Sequence, residues 1–348
     1  MGKEKGARFG RVLVSAPGKL AVLASLGNDR RGVIYVGHGM IITPPQGHSF
    51  SPHILDMNQE FIVVGGYADR ADRYVLFVYK ANPPFDLKAT IPVSYRLQNA
   101  KITEKNEIII LDYHDIDEQD KEHCYVMSYF YDGRDTWHLN QRVKVSDEDD
   151  APFVGLVVTK NYLVKHTLGN HGNFLEVFRK VDGKWIQHQT IKPPQEDVKH
   201  FGTIMDMEDD RLAVVGKTKD LKRVFMFIYH LDQTTGMWVL HTILRPPGEE
   251  SVPILKKDTL VMTLNDPQQP TVCGVVYKLT TNTSGCNGEQ AWTKVAVLKT
   301  NGDPVKDPEH EVNISVGEDG NLVYIGRYSF YGDYVGKVFV YDIRKVTK

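Results

Sequence analysis

Cysteine is nearly absent from this 348-residue chain: Cys124, Cys273 and Cys286 are the whole complement. None stands in a C-x-x-C pair, and three is an odd count. A disulfide framework, a zinc ribbon and a thioredoxin-like motif are therefore excluded. A Cys273–Cys286 bridge across the 280–288 loop stays open beside the plainer reading of free thiols in a reducing compartment. Long apolar runs are lacking too. Stretches such as 61–64 and 153–158 end after four to six residues, far short of the roughly 20 needed to cross a bilayer as a helix. The first eight residues are charged and have no apolar stretch of the secretory kind, so the expected location is intracellular.

Charge of one sign is missing as well. With 42 Lys+Arg against 44 Asp+Glu the net charge is −2, which removes the basic field that nucleic-acid binding needs. No G-x-S-x-G, P-loop or G-x-G-x-x-G occurs, and Gly37-His38-Gly39 lacks the third glycine and the helix of a dinucleotide fingerprint. No segment holds a helical period for more than a turn or two. What the chain does have is 17 Tyr, 14 Phe and 29 Gly, a composition that favours strands joined by tight turns.

A repeat organises these strands. Trp137, Trp185, Trp238 and Trp292 lie 48, 53 and 54 residues apart, and each opens a β-rich segment after a turn. An apolar strand recurs from Leu20, Phe61, Glu107, Tyr162, Leu212, Leu260 and Leu322, at steps of 41, 46, 55, 50, 48 and 62 residues. A second strand follows each at 32–36, 74–79, 125–131, 174–179, 224–229, 274–279 and 336–341. Several are apolar on both faces, as in Val224-Phe225-Met226-Phe227-Ile228-Tyr229, so sheets cover them on both sides. Seven small antiparallel sheets, each between two others, describe an all-β seven-bladed propeller. The length prior of two domains gives way to one domain over 1–348, with blades near 8–46, 47–93, 94–145, 146–194, 195–247, 248–300 and 301–348. The last blade has residues for three strands only, so the N-terminal tail is expected to supply the fourth and close the ring.

The unit at 183–216 carries the most specific pattern: Trp185, a diproline at Pro193-Pro194, Phe201-Gly202, then a strand ending in Val215-Gly216. Phe9-Gly10 repeats the Phe-Gly step, with Phe50-Ser51 and Phe153-Val154 as degenerate copies. This resembles the FG-GAP-like repeat family, whose seven-bladed propellers include the integrin α-chain head. WD repeats fit less well, since Gly37-His38 and Gly47-His48 occur without any Trp-Asp pair. Kelch repeats are matched once, at Gly65-Gly66-Tyr67. The glycine of the step lets two backbones pass closely near the hub while the phenylalanine plugs between sheets. The resemblance also implies calcium loops of D-x-D-x-D-G type. The corresponding loops here are 58–60, 104–106, 208–210 and 318–321, and none keeps the alternating Asp triad, so calcium sites are not carried over.

Other candidate chemistry is sparse. Asp115, Asp117 and Asp120 of the acidic stretch 112–122 offer oxygen ligands, but a solvated loop is the better reading of them, as it is of 146–150. The pairs His48/His53, His166/His171 and His188/His200 lack helical ligand spacing. Nothing marks a pair of carboxylates on the strands nearest the axis. Lys3, Lys5, Arg8, Arg11, Arg344, Lys345 and Lys348 read first as frayed, solvated termini, with a positive patch where the termini meet as the alternative. The sequons at Asn282 and Asn313 read as chance matches. The resulting expectation is a non-catalytic scaffold or protein-interaction propeller, a virion component being one concrete version. It has protein partners on its faces and loops, no catalytic residue, no cofactor, no metal, no nucleic acid, no membrane insertion and no small-molecule ligand. The alternative is a carbohydrate-binding or carbohydrate-active propeller using the central cavity, which a cavity lined by close carboxylates with aromatic walls would favour.

Overall fold

The computed structural model describes residues 8–25, 31–37, 39–68, 73–93, 96–116, 122–146, 155–169, 172–221, 223–246, 252–264, 272–281, 290–299, 310–317, 319–329 and 337–346. They form seven antiparallel sheets. The first joins β1 (Arg8–Ala16), β2 (Lys19–Ser25), β3 (Val33–Val36) and β4 (Met40–Ile42). The second joins β5 (His48–Met57), β6 (Phe61–Ala68), β7 (Arg73–Lys80) and β8 (Leu87–Pro92). The third is β9 (Arg96–Ile102), β10 (Ile108–Ile116), β11 (Glu122–Tyr131) and β12 (Trp137–Ser146). The fourth is β13 (Leu156–Val158), β14 (Tyr162–Gly169), β15 (Gly172–Val181) and β16 (Lys184–Ile191). The fifth is β17 (Val198–Glu208), β18 (Arg211–Thr218), β19 (Val224–Leu231) and β20 (Trp238–Leu244). The sixth is β21 (Pro253–Lys256), β22 (Thr259–Thr263), β23 (Val272–Thr281) and β24 (Gln290–Lys299). The seventh has three strands among the described residues, β25 (His310–Val316), β26 (Leu322–Ser329) and β27 (Lys337–Asp342), followed by the single-turn α1 (Ile343–Val346).

The first strand of each sheet touches the first strands of the sheets before and after it, and β1 touches β25. Those seven strands therefore surround one axis, and the fold is a closed seven-bladed β-propeller. The apolar core lies between blades rather than in one place. One buried cluster fills each of six seams, such as Val164, Val177, Phe201, Val214 and Phe227 between the fourth and fifth blades. That arrangement is why the second and third strands are apolar on both faces.

Of the tail expected to close the ring, residues 1–7 lie outside the described residues. Arg8 and Phe9 pair with Ser25 and Ala24 inside blade one. Among the described residues the seam is joined by hydrogen bonds, from Ser15 Oγ to the Val316 carbonyl at 2.8 Å, with Ser15 and Ser315 Oγ atoms also 2.8 Å apart.

The tryptophans open the outermost strands of four blades, and all are buried. Each packs against the preceding blade, Trp137 edge-on to Phe61 at 4.9 Å and Trp238 to Tyr162 at 5.5 Å. A reciprocal amide clasp reinforces two seams. Gln141 Oε1 accepts from Trp185 N at 2.8 Å and its Nε2 donates to the Trp185 carbonyl at 3.1 Å. Gln189 repeats this on Trp238 at 2.8 and 3.0 Å. Thr242 and Ala296 stand four residues after Trp238 and Trp292, so the clasp ends there. Gln189→Ala removes both bonds and leaves their backbone partners to solvent, at a cost of about 1–3 kcal/mol. Urea unfolding reads this, and Gln141→Ala should add to it because the two sites are a blade apart. An unchanged midpoint for both variants would show the clasp to be idle.

Candidate hub site

Every inner strand runs in the same sense and ends in a tight turn to its second strand, so these turns gather at one end of the ring. The loops compared with calcium loops in the sequence are these turns, and their polar groups lock neighbouring blades. Asn58 Nδ2 donates to the Thr103 carbonyl at 2.8 Å and to Asn106 Oδ1 at 2.7 Å, while Asn58 Oδ1 caps Glu60 N and Phe61 N. Glu107 pairs with Lys180 of the next blade, and Arg211 donates to the Lys257 carbonyl at 3.0 Å. Asp319 turns inward on Asn321 N at 2.9 Å. Among the described residues no three His, Cys, Asp or Glu side chains group as metal ligands.

At the same end the inner strands bring charged side chains to the hub, which the sequence reading had missed. Asp56 lies near the end of β5 and Asp206 near the end of β17. Both use one oxygen to satisfy the free inner-strand N–H of the following blade: Asp56 Oδ2 accepts from Ile102 N at 2.9 Å, and Asp206 Oδ2 from Leu255 N at 2.6 Å. An inner strand has one edge without a ladder partner, so a carboxylate from the neighbour fills the vacancy. The same local pattern, Asp-Met before a turn, precedes both (Asp56-Met57 and Asp206-Met207).

Their electrostatics part company. Asp56 Oδ1 lies 4.0 Å from Lys101 Nζ, whereas no described lysine or arginine stands within 4 Å of Asp206. Asp206 is half-buried, and loss of water pushes its carboxyl up to about 6, against the bond from Leu255 N and the more distant charge of Lys101. Glu208, two residues on, is also pushed up by desolvation, countered by Lys256 at 3.0 Å. Glu104, in the turn after β9, adds its negative charge to Glu208. Blades two and three, and blades five and six, thus each bring charged groups to this end of the ring. Phe50 of β5 and Phe201 of β17 are buried. The arrangement can hold a polar group and exchange a proton near neutral pH.

The sequence-selected residues fare differently. Phe201 is fully buried, 5.6 Å from Phe227. The Phe-Gly step is a bulge, where pairing skips between Phe201 and Met205, between Phe9 and Val12, and between Phe50 and Leu55 in its degenerate copy. His188 Nε2 bonds the Gly236 carbonyl at 2.9 Å, His166 is fully buried, and His200 is exposed, so the paired histidines do not converge. His171 lies outside the described residues, as do Asp117 and Asp120. Asp115 falls on β10. Cys273 is buried with its thiol donating to the Leu298 carbonyl at 3.4 Å, and Cys286 lies outside the described residues. Arg344 is neutralised by Asp342 through two bonds of 2.8 and 2.9 Å, which removes it from the expected positive patch. Among the described residues no helix is long and apolar enough to cross a membrane.

No family model and no curated protein matches the chain. Solved structures do match in fold. The β-propeller domain of the trilobed protease from Pyrococcus furiosus, described with an open velcro topology, matches 98% of this chain and 95% of its own, at 9% identity and a TM-score of 0.58. The acylaminoacyl peptidase of Pyrococcus horikoshii matches 97% of this chain at 10% identity and a TM-score of 0.59. This chain spans 51% of that peptidase. An oligogalacturonate lyase in complex with manganese matches 97% of this chain and 90% of its own, at 11% identity and a TM-score of 0.54. At such identities the likeness carries the propeller fold alone. Two expectations are corrected on these findings. The FG-GAP-like assignment has no matching family model behind it, and only its seven-bladed propeller stands. The non-catalytic scaffold or virion component is overturned, because the propellers that align along nearly the whole chain belong to peptidases and a lyase. Asp56 and Asp206, which nothing in the sequence reading marked, both lie on inner strands.

Proposed function

We propose that the chain works as one propeller unit with an acid–base site at the turn end of its hub, where it cleaves a bond in a small polar substrate. Asp206 is the proton donor in this reading, and Asp56, 4.0 Å from Lys101, is a second carboxylate on an inner strand. The observation that carries it is a carboxyl at the hub whose bond to Leu255 N does not offset its loss of water. Asp206 is moved up to about 6, where a carboxyl is partly protonated at neutral pH and matched to proton transfer. The bond-cleaving enzymes among the matched propellers support this class of reaction, and the charged groups at the hub favour ionic and hydrogen-bonding recognition.

Turnover of a panel of chromogenic esters, lactones, peptides and glycosides tests the reading. At least one class should be cleaved, and Asp206→Asn should lower that rate by about 100-fold or more, the ordinary worth of a general acid. Cleavage of no class, or an unaltered rate in the variant, would overturn it.

A further inference from the structure

Lys278 lies away from the hub, on β23, the third strand of blade six, where the turns of blades six and seven meet. It is half-buried, and its Nζ donates to Oγ1 of Thr259 on the neighbouring β22. Thr259 is fully buried and spends its own hydroxyl proton on the Gly320 carbonyl of blade seven, at 3.1 Å. A hydroxyl has one proton, so the relay runs in one direction and Thr259 offers Lys278 only lone pairs. Among the described residues no carboxylate pairs with Lys278. The two acids near it, Asp258 and Asp319, are engaged elsewhere. Asp258 lies 3.5 Å from Arg211 Nη2, and Asp319 accepts from Asn321 N at 2.9 Å and from Asn321 Nδ2 at 3.2 Å. Lys180 and Lys256, half-buried as well, pair instead with Glu107 and Glu208. Loss of water therefore prevails at Lys278 and holds its amine below the usual lysine range, against the pull of Asp258 and Asp319.

We propose that Lys278 is a nucleophilic amine and a site of covalent acylation by thioesters. A carboxylate partner would hold the amine as ammonium, which has no lone pair to give. A neutral amine that donates one N–H to Thr259 keeps its lone pair uncommitted. In the step itself that lone pair attacks the thioester carbonyl carbon. A C–N bond forms, the C–S bond breaks, the thiolate leaves with the electron pair, and the surplus proton on nitrogen passes to water. No oxidant or reductant is consumed. The product amide is uncharged and retains one N–H for Thr259, so the bond from Thr259 to Gly320 stays in place. The acid–base reading of the hub is not needed for this.

The experiment is trace labelling of the full chain with the acetyl thioester of N-acetylcysteamine, followed by peptide mass spectrometry. Acetylation is read at Lys278 and at the exposed Lys219, in the folded protein and in urea. At pH 7.5 the folded protein should acquire acetyl at Lys278 at least about threefold faster than at Lys219, because a larger fraction of its amine is neutral. Labelling of Lys278 should also rise with pH earlier than labelling of Lys219. In urea the two rates should become equal, since the advantage comes from the folded seam. Labelling of folded Lys278 no faster than Lys219, or an advantage that persists in urea, would overturn the proposal.

Discussion

Asp206→Asn will melt at a higher temperature than the unaltered protein at pH 8, and the gap will close as the pH falls to 4. A carboxyl raised from 3.8 to about 6 binds its proton more tightly in the folded chain than in the unfolded one. Stability is therefore full below about pH 4 and declines as pH rises through the interval up to about 6. Above it the folded protein carries a poorly solvated anion. The full displacement corresponds to about 3 kcal/mol. Partial exposure to hub water reduces the expected gain from Asn to about 1–2 kcal/mol. Asn keeps an oxygen for Leu255 N, so the latch to blade six survives. A residue whose replacement stabilises the fold while removing activity is the signature of a site that trades stability for chemistry. A lower melting temperature at pH 8 would show that Asp206 is chiefly a structural latch.

Gly202→Val will cost about 4 kcal/mol or more, enough to unfold an ordinary domain at elevated temperature. Gly202 has a φ of +92°, and a Cβ built on it would lie 2.2 Å from Leu175 Cδ2. Leu175 is fully buried in the same cluster as Phe201 and Phe227, so it has nowhere to move. The Gly202 carbonyl meanwhile approaches Gly155 of the previous blade closely enough that a Cβ there would stand 2.6 Å away. Gly183 is the control. It has a φ of +78° with nothing within 4 Å of a new Cβ, and Gly183→Ala should cost only about 1 kcal/mol of backbone strain. Equal losses for the two variants in urea unfolding would contradict the crowding at the Phe-Gly bulge.

Much of the fold is legible in the residues because a propeller repeats its physics. The strands read from Leu20, Phe61, Glu107, Tyr162, Leu212, Leu260 and Leu322 are the second strands of the seven blades. The aromatic strands after them are the third, and the tryptophans mark the fourth. These are the strands covered on both faces, where apolar pattern is strongest. Inner strands are harder to read: β13 and β21 are short, and β5 and β17 are broken by bulges. Without their register, Asp56 and Asp206 look like two acids among 44 Asp and Glu. The repeated Asp-Met before a turn was the available signal. The turns compared with calcium loops kept their place but serve another purpose, as Asn58 and Asn106 show by binding each other. Phe9 belongs to blade one, as expected from its Phe-Gly step, and its bulge matches that of Phe201.

The most direct test of the hub site is the pH dependence of cleavage for whichever substrate class the panel identifies, measured in the unaltered protein and in Asp206→Asn. The account predicts a rate that falls as pH rises past about 6, with the loss of the Asp206 proton, and a variant at least about 100-fold slower without that limb. A variant with the same rate and the same limb would place the chemistry elsewhere in the molecule.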